Sequence, residues 1–192
     1  MNMLMNKQWR EFKIKINLIP SNVTNEVFCA FIINEIKNWH KQFPEMFEYP
    51  SFVKLKKYLK IDINNYPIKF SCVDQKLRKR FIKVINEYEA KDRNFIAYSI
   101  NSILQDFLVY QIDTQDNPCE SGELGILKNK LTNKLVYMCM EMENIWYIDA
   151  SDNSELKVDD LVLVPTKELL SNNVMLSCPT VICQEGVTTN DN

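Results

Sequence analysis

The stretch Leu124–Asp149, LGILKNKLTNKLVYMCMEMENIWYID, decides the class of fold. Three apolar runs, Leu124 to Lys128, Lys134 to Met142 and Ile145 to Asp149, are separated by KNKLTN and EMEN, polar clusters of the kind that turns select. In the middle run Leu135, Tyr137 and Cys139 alternate with Val136, Met138, Met140 and Met142. Both faces of that strand are apolar, so it belongs at the centre of a sheet or in one covered on both sides. Downstream, Val158 to Val164 reads as a further strand beyond the turn SDNS. A short helix from Thr166 to Leu170, a last strand around Val174 to Cys183 and a polar tail, GVTTNDN, complete the chain.

Upstream the period changes from two to 3.6. Thr24 is placed to cap a helix to about Gln42, before Pro44, with Val27, Phe28, Phe31, Ile32, Ile36 and Trp39 at helical spacing. Ser51 can cap a shorter helix through Lys60. Asp74 opens a stretch with Leu77, Phe81, Val84, Ile85 and Tyr88 inside, and another begins near Asp92 with Ile96, Ile100, Ile103, Leu104, Phe107 and Leu108 inside. These are two helices or one long kinked one. Two pieces read as extended: Glu11 to Ile19, where Phe12, Ile14, Ile16 and Leu18 alternate with Lys13, Lys15 and Asn17, and Tyr66 to Cys72, where Ile68, Phe70 and Cys72 alternate.

The expected fold is therefore α+β, an N-terminal strand and a helical layer of about four helices packed on a C-terminal antiparallel β-sheet or small barrel. Residues 113–122, DTQDNPCESG, are the natural linker. They divide a basic, mainly helical part (1–112) from an acidic β-rich part (123–185) with a tail over 186–192, the alternative being one domain over 1–185.

Composition narrows the function. The 192 residues are 46% hydrophobic and 25% charged, ordinary for a globular chain. Only three glycines occur, Gly122, Gly125 and Gly186, and the phosphate-cradling and nucleophile-elbow motifs that need them are missing. A single histidine, His40, excludes multi-histidine metal sites within one chain and reads as a helix-end residue. The N-terminus lacks the apolar run of a signal peptide, and nowhere do about 18 apolar residues follow one another. A cytoplasmic protein with no membrane association is expected, its six cysteines (Cys29, Cys72, Cys119, Cys139, Cys178, Cys183) reduced.

Charge carries the sharper signal. Residues 1–112 hold 18 Lys and Arg against 11 Asp and Glu, a balance of +7, while residues 113–192 hold 5 against 14, a balance of −9. Such a dipolar chain points to polyanion binding or to an acidic face presented to a basic partner. Lys76, Lys79, Arg80 and Lys83, at i, i+3, i+4 and i+7, form one helical stripe, and Lys56, Lys57 and Lys60 a smaller one near Tyr58 and Tyr66. On the acidic side Glu141, Glu143, Asp149, Asp152, Glu155, Asp159 and Asp160 crowd the expected hairpins. Asp149, Glu155 and Lys157 echo the carboxylate and lysine set of metal-dependent nucleases. However, E-x-K also occurs at Glu11/Lys13, Glu35/Lys37 and Glu89/Lys91, as chance provides in a lysine-rich chain.

The leading expectation is a small cytoplasmic interaction module whose acidic hairpins bind and mask a partner protein, a basic toxin or nuclease, as immunity proteins and antitoxins do. The alternative is a nucleic-acid-binding regulatory protein that uses Lys56, Lys57, Lys60, Lys76, Lys79, Arg80 and Lys83. A metal-dependent nuclease comes third. No catalytic residue, cofactor or resident metal is expected.

Overall fold

The computed structural model describes residues 2–71, 73–112, 124–139, 144–148 and 156–174. Its first element is a helix, α1 (Asn2–Asn17), where alternation predicts a strand. Trp9, Phe12 and Ile16 lie at i, i+3 and i+7, so the same residues also satisfy a helical period, and long-range packing selects it. Phe12 is fully buried, with ring centroids 5.3 Å from Trp9, 5.8 Å from Phe31 and 5.1 Å from Trp39. Ile14 and Leu18, which a strand would have placed on the face of Phe12, are 61% and 75% exposed. The Trp9 indole N–H donates to the carbonyl of Tyr88 at 3.0 Å, and Lys15 meets the buried Glu35 carboxylate at 2.8 Å.

α2 (Asn25–Gln42) begins where its cap dictates. The Thr24 hydroxyl accepts from the Val27 N–H, and the helix ends before Pro44 with the Phe43 N–H on the carbonyl of Trp39. The chain then winds through a 3₁₀ turn (Pro44–Glu48), the short α3 (Pro50–Val53) and a 3₁₀ segment (Lys54–Lys60). Pro50 takes the first helical position, so Ser51 lies inside the helix and not at its cap. The extended piece expected from Tyr66 is instead a 3₁₀ turn (Ile68–Phe70) entered through Pro67, and Cys72 lies outside the described residues. α4 (Gln75–Glu87) is capped by the Asp74 carboxylate, which accepts from the Leu77 N–H at 2.7 Å. α5 (Arg93–Leu108) is a separate helix, because Tyr88–Asp92 form a turn closed by the Asp92 carboxylate on the Glu89 N–H at 2.8 Å.

The sheet is antiparallel and open rather than a barrel. β2 (Leu124–Asn129) pairs with β3 (Leu135–Cys139), which pairs with β4 (Ile145–Tyr147). The other edge of β2 is shared by β1 (Tyr110–Ile112) along its first half and β5 (Leu161–Leu163) along its second. β1 was not expected, since three residues directly after a helix carry no readable period. The turn from β2 to β3 is built on Asn129, whose buried side-chain carbonyl accepts from the N–H groups of Leu131 and Thr132. Asn133 adopts φ 58°, a conformation asparagine tolerates.

Both faces of the sheet are covered, as the apolar pattern of Leu135–Cys139 requires. Leu127, Val136, Met138, Tyr147 and Leu163 join the main core of α1, α2, α4 and α5. Tyr110, Ile126, Val164 and Leu169 form a second cluster with Leu135 and Tyr137 on the opposite face, under α6 (Thr166–Ser171). The expected linker 113–122, the strand from Val174 and the tail fall outside the described residues, apart from Val174 itself. Among the described residues, no helix is long and apolar enough to cross a membrane.

Two buried groups make stability sensitive to alkali. Burial, reinforced by Glu26, pushes the Cys29 thiol up from 9.0 to about 12, and burial pushes the Tyr58 phenol well above its ordinary value of 10.0. In the unfolded chain both ionise earlier, so above pH 9 the unfolded state binds fewer protons than the native state and stability falls as pH rises. Urea midpoints are expected to decrease steadily from pH 9 to 11, with Cys29→Ala flattening the first part of the decline. A constant midpoint across that range would contradict the burial of both groups.

Candidate functional site

α4 sorts its residues by face. Arg78, Phe81 and Ile85 are buried, while Lys76, Lys79, Arg80 and Lys83 stand on the opposite, exposed side. Among the described residues, no carboxylate comes within ion-pair distance of any of the four. Elsewhere this molecule does pair its lysines: Lys15 with Glu35 and Lys128 with Glu168 at 2.8 Å, Lys56 with Glu48 at 2.7 Å, and Lys130 with Asp160 at 3.0 Å. Arg78 is the helix's one inward cation. Its guanidinium donates to the carbonyl of Val23 at 2.7 Å and lies 5.7 Å from the Phe28 ring centroid, while its Nε finds no hydrogen-bond partner.

The smaller basic stripe changes shape. In a 3₁₀ segment residues three apart eclipse, so Lys54, Lys57 and Lys60 share an edge and Lys56 turns away to Glu48. Tyr58, which lies near these lysines in sequence and also in the segment's apolar stripe with Phe52, Leu55 and Leu59, is fully buried with its hydroxyl donating to the Asn101 side-chain carbonyl at 3.1 Å. It is unavailable to stack with a ligand. The Lys57 ammonium lies over its ring, 5.1 Å from the centroid.

Of the acidic residues, Glu141, Glu143, Asp149, Asp152 and Glu155 lie outside the described residues. Asp160 is occupied: its carboxylate meets Lys130, whose backbone N–H donates to the Asp160 carbonyl at 2.9 Å and whose ammonium also donates to the Asp159 carbonyl at 3.0 Å. Asp159 is exposed. Lys157 is described and exposed, whereas the two carboxylates of the nuclease arrangement are among those outside. No group of three His, Cys, Asp or Glu side chains is placed to hold a metal among the described residues. His40 is half-buried with its ring edge-on to Phe47 at 5.0 Å, a packed helix-end residue. Cys29 is free and buried. Cys139 is disulfide-bonded, which corrects the expectation of six reduced thiols. Met138 lies in the main core, and Met140 and Met142 are outside the described residues.

A groove at the start of α5 completes the geometry. It encloses about 540 Å³ and is lined by Asn6, Tyr49 and the segment Ala90–Phe95. The Arg93 guanidinium carbon lies 5.5 Å from the Tyr49 ring centroid, and Phe95 stacks on Tyr88 at 5.7 Å with an interplanar angle of 21°. Tyr49, Phe95 and Tyr98 are 43%, 61% and 70% exposed. Sequence reasoning passed over these residues because it followed the buried stripe of α5. The legible signal was two aromatics, Phe95 and Tyr98, three apart on the polar side of that stripe. No family model, curated protein or solved structure matches this chain.

Proposed function

We propose that this chain binds a polyanion, a nucleic acid, along the exposed face of α4. The observation that carries the reading is the set of four exposed cations, Lys76, Lys79, Arg80 and Lys83, gathered on one face of α4 with no carboxylate in ion-pair distance among the described residues. From Lys76 to Lys83 the helix rises about 10 Å, the axial span of about four successive phosphates of one strand. The inward guanidinium of Arg78, with no carboxylate among its hydrogen-bond partners, adds positive potential from behind.

The test is salt dependence. With four phosphate contacts, the logarithm of the association constant for a labelled duplex should fall against log salt with a slope of about −3.6. The double charge reversal Lys79→Glu/Arg80→Glu should weaken binding and make the slope shallower by about 1.8 or more. Affinity indifferent to salt, or an unchanged slope in the double variant, would refute the reading.

Partner masking by the acidic half rests on the −9 balance of residues 113–192 and on the exposed Asp159, which has no ion pair among the described residues. Under that reading the chain has no affinity for the oligonucleotide, and the same titration decides between the two.

A further inference from the structure

We infer that the groove at the start of α5 takes an unpaired base, so that the nucleic acid bound by this chain is single-stranded. The inference rests on the polyanion reading for its class of ligand and adds what that ligand must look like.

Position comes first. The basic stripe ends at Lys83, about 6 Å along the axis from the end of α4, and only Tyr88–Asp92 separate α4 from α5. α1 is laid along the same end. Lys13 donates to the carbonyl of Asn86 at 2.8 Å, Asn17 and Asn86 exchange side-chain hydrogen bonds, and Trp9 donates to Tyr88. One turn before Trp9, Asn6 reaches the groove. Past Lys83 the same face of α4 carries the exposed Glu87, and the turn Tyr88–Asp92 leads from there to the groove.

Chemistry comes second. At about 540 Å³ the groove falls within the size range of small-ligand sites. Its flat surfaces are the Tyr49 ring carrying the Arg93 guanidinium, and the Phe95 ring backed by Tyr88. Aromatic and guanidinium planes stack any base, because every base has a π-face. Tyr98, one turn further along α5, extends this surface. The side-chain amides of Asn6 and Asn94 carry both donors and acceptors for base edges.

The cations at the groove already have acidic neighbours, so stacking rather than charge supplies the attraction there. Lys91 borders the groove with its ammonium 2.9 Å from the Glu89 carboxylate, and the Asp92 carboxylate is engaged by the Glu89 N–H. In a duplex the base faces are already stacked inside the helix. Only an unpaired base has a face free to stack on these exposed rings, so the groove discriminates strand state, which a row of lysines cannot do.

The experiment is fluorescence anisotropy with three labelled probes, a 12-mer oligothymidylate, a 12-mer oligouridylate and a 12-base-pair duplex, at one salt concentration. At least one single strand should bind about tenfold or more tightly than the duplex, and the better of the two identifies the sugar. Phe95→Ala and Tyr49→Ala should each weaken that strand by about tenfold, with the duplex affinity and the salt slope unchanged. Both side chains are substantially exposed, so the variants should keep the wild-type melting temperature. Equal affinity for all three probes, or aromatic variants that bind as wild type does, would overturn the inference. If Lys79→Glu/Arg80→Glu lowers affinity and the aromatic variants do not, the groove inference fails and the polyanion reading stands. If wild type binds none of the probes, both fail.

Discussion

Phe12→Ala is expected to cost about 3–5 kcal/mol of stability. Ile14→Ala, two residues away, should cost no more than about 0.5 kcal/mol. The contrast follows from how α1 docks. Phe12 is wholly buried among Trp9, Phe31 and Trp39, and removing its ring leaves a cavity that three rigid aromatic neighbours cannot readily fill. Ile14 is 61% exposed and gains little from folding. A strand over Glu11–Ile19 would put both residues on one face and make the two substitutions comparable. Urea unfolding of the two variants separates the alternatives directly: a large and unequal pair of losses supports the helix, and similar losses refute it.

Val136→Asp is expected to cost on the order of 4 kcal/mol and to abolish helix and sheet together. Val136 is wholly buried at the middle of β3, opposite Leu127 on one side and Tyr147 on the other. All three residues belong to the same core as Ile100, Leu104 and Phe107 of α5. A carboxylate there would be stripped of water inside the core that Val136 shares with Leu127, Tyr147 and α5. The measurement is far-UV circular dichroism, which reads the helices, alongside hydrogen exchange of the backbone amides of β2 and β3, which reads the sheet. Loss of both signals together supports one cooperative core across the basic and acidic parts. Retention of full helical signal after the sheet is lost would show that the two parts fold separately.

The parts of the fold legible in the sequence were those fixed by local chemistry. Thr24, Asp74 and Asp92 mark the starts of α2, α4 and α5 because the first turn of a helix leaves N–H groups unpaired and a preceding oxygen can accept from them. At Asp92 the carboxylate closes the preceding turn instead, so the boundary survives while the expected bond does not. The double-faced strand Leu135–Cys139 was legible because central strands are apolar on both sides. The alternation of Phe12, Ile14, Ile16 and Leu18 with Lys13, Lys15 and Asn17 fits a strand locally, and only the aromatic contacts of Phe12 with α2 choose between the two periods.

The candidate site divides along the same line. The α4 stripe is a property of spacing on one helix, so the sequence displays it in full, and the caps guarantee that the helix exists to present it. The groove draws Asn6, Tyr49 and Phe95 from three separate stretches, and no pattern within any one of them announces the others. By itself, then, the sequence determined the α+β class, the starts of α2 and α4 and the basic face, all of which depend on neighbours within a turn or a hairpin. Tertiary structure decided that α1 is helical, that Phe95 and Tyr98 stay open, and that Asn6, Tyr49 and Phe95 line one groove. Those outcomes depend on contacts between residues tens of positions apart, whose energies no local period encodes.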